Sequence, residues 1–520
     1  MSETLPAVSP AAPARRQAQQ LALGELVERL AALKSEGKTI VLCHGVFDLL
    51  HIGHIRYFEQ AKRLGDVLVV TVTPDRFVNK GPHRPVFSEQ LRCEAVAALH
   101  CVDWVAINQW PMAVETIRLL RPDYYVKGPD YRQAGKDVTG GIALEEEAVQ
   151  SVGGRLVFTE DVTFSASHLV NRYLPVFPKA VTDYLGGFRS RYTSDDIAGF
   201  LERARTLKVL VIGEAIIDDY HYCEQVGKSA KEPVLVARHL SSEQFAGGSL
   251  AIANHVANFC DQVGLVTCLG RQRSYERFIR RRLQPNIEPR FLYVAKAPTI
   301  VKRRFMEQYL SQKLFEVYDM HDEPDPALGS ALCAALQEVL PRYDAVIVAD
   351  YGHGMLLPDA TELVCSRARF LAVNTQANAG NRGLHTISKY QRADYIALAR
   401  HELVLEERNR RSTLEDMILN VSRKLSCPRV LITCGKDGNI AYRPDEGFSR
   451  VPAFATQVVD RMGAGDAVIA LTSLCAAQEA PMEVVGFLGN VVGAEAVATL
   501  GHRSSIERVP LLKHIASLLK

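Results

Sequence analysis

Short runs of β-branched and apolar residues alternate with amphipathic stretches along most of the chain. In the first third the runs read "TIVLCHG", "DVLVVTVTPD", "DWVAI", "DYYVKG" and "RLVFTED". Helix-like segments at 54–64 and 88–99 lie between them, and an amphipathic helix is predicted over Leu21–Leu33. Apolar runs of this length belong to parallel strands covered by helices on both faces, so βα units are predicted, with about five strands before residue 175. The pattern loses its regularity near "LPVFPKAVTDYLGGFRSRYTSDD", which predicts a linker and helical connection over 176–206. A second series then begins with "KVLVIGE" and continues through "QVGLVTCLG", "AVIVADYG", "FLAVNT", "DYIALA" and "RVLITCG".

The expected fold class is therefore α/β, with two doubly wound domains over 34–175 and 207–520. Residues 1–33 are read as a flexible tail and lead-in helix. A chain of 520 residues, 47% hydrophobic and 23% charged, is too long for one core. No stretch reaches the roughly 18 uninterrupted apolar residues of a membrane span. The formal charge of +2 gives no reason to expect nucleic acid or a membrane as partner. Eleven cysteines are dispersed without a C-x-x-C pair, which argues against a disulfide framework or a zinc ribbon and predicts a reducing cytoplasm.

Candidate chemistry begins at "HGVFDLLHIGH", residues 44–54, where a strand runs into Gly45 and a helix starts near His51. Backbone N–H groups at a helix start favour an anion, and phosphate is the natural ligand. His51 and His54 flank Gly53, whose bare backbone allows close approach, so both rings can donate to one phosphate group. Lys62, two turns past His54, is expected to bring positive charge to the same phosphates. A metal site is the competing reading, but H-x-x-H with one aspartate lacks the H-E-x-x-H arrangement on a helix.

"GVFDLLHIGH" resembles the G-x-F-D-x-x-H-x-G-H motif of the cytidylyltransferase-like nucleotidyltransferases. The resemblance continues through "YFEQAKRLGDVLVVTVTPD", "RPV", "LRPDYYVKGPDY" and "FTEDVTFSASHLVN" over about 130 residues. Its spacing is most similar to the nucleotidyltransferase domain of the bifunctional heptose kinase/adenylyltransferases. The resemblance implies a Rossmann-like domain in which His51 and His54 stabilise attack of a sugar-phosphate oxygen on the α-phosphorus of ATP or CTP, with pyrophosphate leaving. It places Lys62 in support and Phe47, Asp48, Gly53, Lys127, Asp130, Ser165 and Ser167 around the nucleotide. For Ser167 a simple helix cap is the competing reading.

"DRMGAGDAVIA", residues 460–470, sets Gly463, Ala464 and Gly465 where backbone N–H groups converge on an anion, with Asp466 placed to take a proton from an attacking hydroxyl. Taken alone it is equally a glycine turn with a capping aspartate. The stretch resembles the D-T-x-G-A-G-D motif of the ribokinase-like (PfkB) sugar kinases, and "VIGEAIIDDY", "AGGS", "VADYGHG" and "ITCGKDG" follow that family's order. The resemblance implies Asp466 as catalytic base, Asp218, Gly247, Gly248 and Asp350 at the sugar, Thr433, Gly435, Gly438, Gly463 and Gly465 at the nucleotide, and Glu402 toward Mg²⁺. It also implies Mg²⁺-bound ATP for the kinase, sugar-phosphate substrates and a homodimer.

Several positions depart from the heptose kinases. Ala251 stands where G-G-A-x-N has its asparagine, Ala399 where N-x-x-E has its amide, "VNTQ" at 373–376 replaces D-P-K, and Arg461 replaces the motif threonine. The order of domains is also reversed. Two readings of the second domain follow: an active sugar-phosphate kinase, or a kinase-like binding or dimerisation module beside a lone nucleotidyltransferase. The basic run at 271–290 is read as a solvated helix face, with phosphate or partner recognition as its alternative.

Overall fold

Each apolar run of the first series forms a strand in the computed structural model, which describes residues 19–78, 84–129, 141–160, 177–309, 312–320, 325–381, 384–409 and 411–520. Asp130, Ser165 and Ser167, predicted at the nucleotide, lie outside the described residues. The strands are β1 (Gln19–Gln20), β2 (Ile40–Gly45), β3 (Val67–Val72), β4 (Trp104–Ile107), β5 (Tyr124–Lys127) and β6 (Arg155–Phe158). They form one parallel sheet in the order β1-β4-β3-β2-β5-β6. Alternate residues of β2 supply two cores. Val41 and Cys43 pack with Phe58 and Val96 on one face, while Ile40 and Leu42 pack with Leu26 and Ile117 on the other. This is why the run is apolar throughout rather than at every second position. β2 neighbours β3 on one side and β5 on the other, and a sheet that reverses its order there opens a crevice beyond the C-terminal strand ends.

The chain divides into two compact units, Met1–Val176 and Phe177–Ile515, the few residues after Ile515 aside. The second contains β7 (Lys208–Gly213), β8 (Ala215–Lys228), β9 (Leu235–Gly248), β10 (Gln262–Gln272), β11 (Ile287–Pro298), β12 (Ile300–Glu307), β13 (Gln312–Asp319), β14 (Ala345–Asp350), β15 (Leu371–Thr375), β16 (Tyr395–Ala399), β17 (Val430–Thr433), β18 (Asn439–Arg443) and β19 (Gly447–Val451). Nine of them form a sheet in the order β11-β10-β7-β14-β15-β16-β17-β18-β19. It is parallel up to β17 and ends in an antiparallel pair of hairpins. A smaller sheet, β13-β12-β8-β9, carries the remaining four.

Three expectations change. The helices expected in the linker and helical connection over 176–206 form as Lys179–Arg189 and Ser194–Arg203, but they belong to the second unit. Val181, Leu185, Phe188, Ile197 and Leu201 are buried there, and Phe188 stacks on Phe487 with centroids 4.4 Å apart. The basic run is not one helix face, since only Glu276–Arg282 is helical and the rest belongs to β10 and β11 or to turns. The four-stranded sheet was not expected, because stretches such as "SSEQF" and "KLFEVYD" are half exposed and too polar to announce strands.

Candidate active sites

In the first unit β2 stops at Gly45 and the chain turns through Phe47, whose φ of 48° is a left-handed conformation rare for a bulky residue. The Phe47 ring lies 4.9 Å from Phe58 and edge-on to His54 at 5.5 Å. A Cβ on Gly45 would sit 2.9 Å from that ring, so only glycine fits. The helix Ile52–Lys62 then starts at His51, whose Nδ1 accepts the Gly53 N–H at 3.1 Å. That bond assigns the proton of the neutral ring to Nε2. Burial holds the His51 pKa below its ordinary value, which keeps the ring neutral at neutral pH. The His51 and His54 centroids are 4.0 Å apart at an interplanar angle of 31°. Two imidazoles thus stand together at a helix N-terminus, where unsatisfied N–H groups and the helix dipole also favour a phosphate.

His44, in the same stretch, is a different kind of histidine. Its ring nitrogens lie 3.0 and 3.2 Å from the hydroxyls of Thr71 and Thr73. Burial, with the nearby Lys127 charge, pushes its pKa down to about 3, so it is a neutral structural group. Asp48 faces inward and accepts the N–H groups of Val86 and Phe87 at 2.6 and 3.1 Å, with Arg84 at 3.3 Å. Lys127 ends β5 and pairs with Glu145 at 2.9 Å, both side chains being buried. Tyr57 ties the histidine helix to β5 by donating to the Val126 carbonyl at 2.6 Å.

Lys62 is not part of this constellation. Its Nζ pairs with Asp103 at 2.5 Å and meets the Asp66 carbonyl at the C-terminal end of the helix. Eight residues of helix put it about 12 Å along the axis from His54. A residue missed from the sequence is Arg92. Only 1% exposed, it donates to the carbonyls of Val46, Thr73 and Phe87 and pairs with Asp75 at 2.6 Å, joining three loops at the strand ends. The signal available was an arginine four residues before Val96 on a helix that also buries Cys93 and Ala97.

In the second unit Asp466 lies in the first turn of the helix Ala464–Ala476 and is buried. Its Oδ1 accepts the Tyr351 hydroxyl at 2.9 Å and the Gln376 amide at 2.7 Å. Burial raises its pKa above the ordinary carboxylate range, while His502, Tyr351 and Gln376 act in the opposite sense. A more basic carboxylate suits a proton acceptor. Asp218 is buried and paired through Oδ1 with Arg304, which also meets Glu316 at 3.2 Å. A Cβ on Gly247 would lie 2.1 Å from Asp218 Oδ2, and one on Gly463 would lie 2.4 Å from the His502 ring. Gly248, with φ 62°, leaves room for the Glu214 carbonyl. Gly465 stays exposed and open at the helix start.

Glu214 is fully buried and accepts the N–H groups of Tyr351 and His353 at 3.0 Å each. Burial, aided by Asp350, pushes its pKa up to about 7. Asp350, expected at the sugar, is taken up elsewhere: it holds Lys389 at 2.5 Å, His385 at 3.3 Å, the Tyr390 hydroxyl at 2.6 Å and the Gly352 N–H at 3.1 Å. With 1% of its surface exposed, its part is to anchor the turn that carries Tyr351. Glu402, expected toward the metal, spends one oxygen on the Ala377 N–H at 3.1 Å and the other on the Ala399 N–H at 2.7 Å. It caps its own helix, with lone pairs left on both oxygens. Ala399 pairs in register with Thr433, which brings the β17 turn beside Glu402. Gly435 there has φ 60° and open space around it, whereas Gly438 is required by the turn, since a Cβ would meet the Val451 carbonyl at 2.0 Å.

Among the described residues no group of three or more His, Cys, Asp or Glu side chains is arranged to hold a metal ion. The Asp466 and Glu402 carboxylates still suit magnesium carried in on a nucleotide, because that ion keeps waters and phosphate oxygens and needs only one or two carboxylates. Kinases and nucleotidyltransferases of these kinds generally use ATP and Mg²⁺. Among the described residues no helix is long and apolar enough to cross a membrane, and all eleven cysteines are free.

Residues 42–170 match the cytidylyltransferase-like family and residues 206–508 match the pfkB family carbohydrate kinases. The bifunctional protein HldE of Syntrophotalea carbinolica is 42% identical over 127 residues, covering 24% of this chain and 26% of that protein. The bifunctional protein HldE of Chromohalobacter salexigens is 43% identical over 133 residues, covering 25% of this chain and 26% of that protein. These matches lie in the N-terminal region, so the chain spans about a quarter of the length of the curated relatives it matches. Among solved structures, phosphofructokinase-2 from Escherichia coli in complex with potassium superposes with a TM-score of 0.50 at 15% identity, covering 61% of this chain and 100% of that one. This likeness concerns the fold alone.

Proposed function

We propose that this chain, which belongs to the pfkB family of carbohydrate kinases and carries a cytidylyltransferase-like domain ahead of the kinase domain, makes a nucleotide-activated sugar of the heptose type. In the kinase unit Asp466 takes the proton of a sugar-phosphate hydroxyl as that oxygen bonds to the γ-phosphorus of ATP and ADP leaves. The glycine turn at 463–465 receives the phosphates, and Mg²⁺ carried on the nucleotide, held beside Glu402, would neutralise their charge. In the first unit a sugar 1-phosphate oxygen attacks the α-phosphorus of ATP or CTP and pyrophosphate leaves, with His51 and His54 donating to the oxygens that gain charge.

The observation that carries this reading is the pairing of His51 and His54, centroids 4.0 Å apart, at the helix start beyond β2. The position of Asp466 between Tyr351, Gln376 and His502 supports the kinase step. The second reading, a lone nucleotidyltransferase with a kinase-like module, draws on Asp218, whose oxygens face Arg304 and His502, and on the apolar Ala251. The eleven free cysteines support a reducing cytoplasm as the setting. Exposed Val236, Leu240, Phe315 and Val317 on the four-stranded sheet support a homodimer.

The test is mass spectrometry of products formed from Mg²⁺, each nucleoside triphosphate and heptose 7-phosphate or heptose 1-phosphate. A bisphosphate lost in Asp466→Asn and a nucleotide-sugar lost in His54→Ala establish both activities and identify the base. A nucleotide-sugar without any bisphosphate establishes the second reading, and neither product overturns both.

A further inference from the structure

Strand β12 carries three consecutive cations, Lys302, Arg303 and Arg304, and two of them are spent on carboxylates. Arg303 pairs with Asp219 at 3.3 Å and Asp319 at 3.7 Å on one face of the four-stranded sheet. Arg304, on the other face, pairs with Asp218 and with Glu316 at 3.2 Å. Lys302 shares the face of Arg304 by strand alternation and stands in register with Asp218 of β8 and Tyr318 of β13. The residue is only 7% exposed, yet among the described residues it has no ion pair and its Nζ makes no hydrogen bond. Its one close contact is the Tyr318 ring, whose centroid lies 5.2 Å from Nζ, and the Tyr318 hydroxyl is turned away to Glu316 at 2.7 Å. The other buried cations among the described residues, Arg92, Lys127, Arg304 and Arg429, each meet a carboxylate. A buried ammonium without a partner is costly, and Nζ is not sealed from solvent, so an anion can reach it.

We propose that Lys302 is the phosphate-binding residue for the sugar, its ammonium receiving the phosphate monoester that the sugar already carries when it enters the kinase site. This rests on the kinase reading of the second unit. The carboxylates nearby do not fill the role of partner. Asp218 is held by Arg304, and Glu214 accepts two backbone N–H groups. Burial lowers the Lys302 pKa from its ordinary value and Arg304 acts in the same sense, while Asp218, Glu214 and Asp466 act against it. Asp466 is thus within electrostatic reach of Lys302 without pairing with it. That separation suits a substrate with its phosphate at one end and its reacting hydroxyl at the other, the cation meeting the first and the base the second. The phosphates of the nucleotide have N–H groups of their own at the start of the helix Ala464–Ala476, which leaves Lys302, in register with Asp218, to the sugar.

The experiment follows sugar-dependent ADP formation by wild type, Lys302→Met and Lys302→Arg, with heptose 7-phosphate and ATP varied in turn. In Lys302→Met the KM for the sugar phosphate is expected to rise about ten- to hundredfold, as for the loss of one charge-assisted hydrogen bond, while the KM for ATP stays within about twofold. Lys302→Arg keeps the charge and is expected to recover much of the loss. Unphosphorylated heptose, tried at high concentration, should serve wild type and Lys302→Met alike, which separates a lost phosphate contact from a damaged site. A rise in the KM for ATP instead, or an equal loss with both sugars, overturns the proposal. A second readout needs no turnover: calorimetric titration with heptose 7-phosphate and with inorganic phosphate, no nucleotide being present. Lys302→Met is expected to bind heptose 7-phosphate at least about tenfold more weakly than wild type. Equal affinities, or no binding of either ligand to wild type, overturn the proposal. If binding depends on Lys302 but wild type forms no ADP with any sugar phosphate, it is the kinase reading that fails and the phosphate site that stands.

Discussion

Replacing Arg92 with methionine removes the group that joins three loops of the first unit. Its four partners are not equally exposed. Phe87 is 44% exposed and the Asp75 side chain 41%, so the Phe87 carbonyl and the carboxylate regain water when the guanidinium goes. Thr73 is 5% exposed and Val46 half buried, and their carbonyls are left without the donor. At about 1–3 kcal/mol for each of the two stranded acceptors, the unit should lose about 2–6 kcal/mol. With a urea slope near 2 kcal/mol per molar, the midpoint should fall by roughly 1–3 M. Both tryptophans, Trp104 and Trp110, lie in the first unit, so fluorescence excited at a wavelength selective for tryptophan reports its unfolding without the second. Arg92→Lys should recover little, since one ammonium cannot span the Val46, Thr73 and Phe87 carbonyls. Nucleotidyl transfer should fall in parallel, because the Val46 carbonyl adjoins Phe47 and the histidine pair. A midpoint within about 0.3 M of wild type would refute the view that Arg92 holds these loops.

Lys62→Met should leave nucleotidyl transfer within about threefold of wild type and cost about 1 kcal/mol at most, because its ion pair with Asp103 is one-third exposed; a hundredfold loss of turnover would restore Lys62 to the catalytic group. Gly463→Ala should lower kinase turnover at least tenfold, since an L-residue at φ 79° costs about 1–2 kcal/mol and its Cβ would press on His502; sugar-dependent ADP release measures it. Glu214 should make the second unit less stable as pH rises. Its folded pKa of about 7 lies above the ordinary 4.5, so the stability it contributes is complete below the unfolded value and is lost as pH climbs through the folded one. Glu214→Gln should therefore gain on wild type from pH 5 to 8 in urea unfolding followed by circular dichroism, and a constant difference would contradict the buried carboxyl.

Local patterning carried much of this protein. The runs that became β2–β6 and the parallel strands β7, β10 and β14–β17 are apolar on both faces, and that property is written in consecutive residues. The same is true of the glycines at 45, 247, 248, 435, 438 and 463, where a turn or a close neighbour forbids a side chain or rewards its absence. Tertiary packing decided what residue type and spacing leave open. Three histidines within eleven positions divided into a buried neutral group bonded to Thr71 and Thr73 and a pair at a helix start, because the strand ends between them. Lys62 and Arg92 exchanged importance, since a helix points one along its axis toward Asp103 and the other into the strand-end loops. His502 met Asp218 and Asp466 across most of the second unit, and such a meeting has no local signature: it exists only once the turn at 501–506 is tied to Asp460, His255 and Asn258.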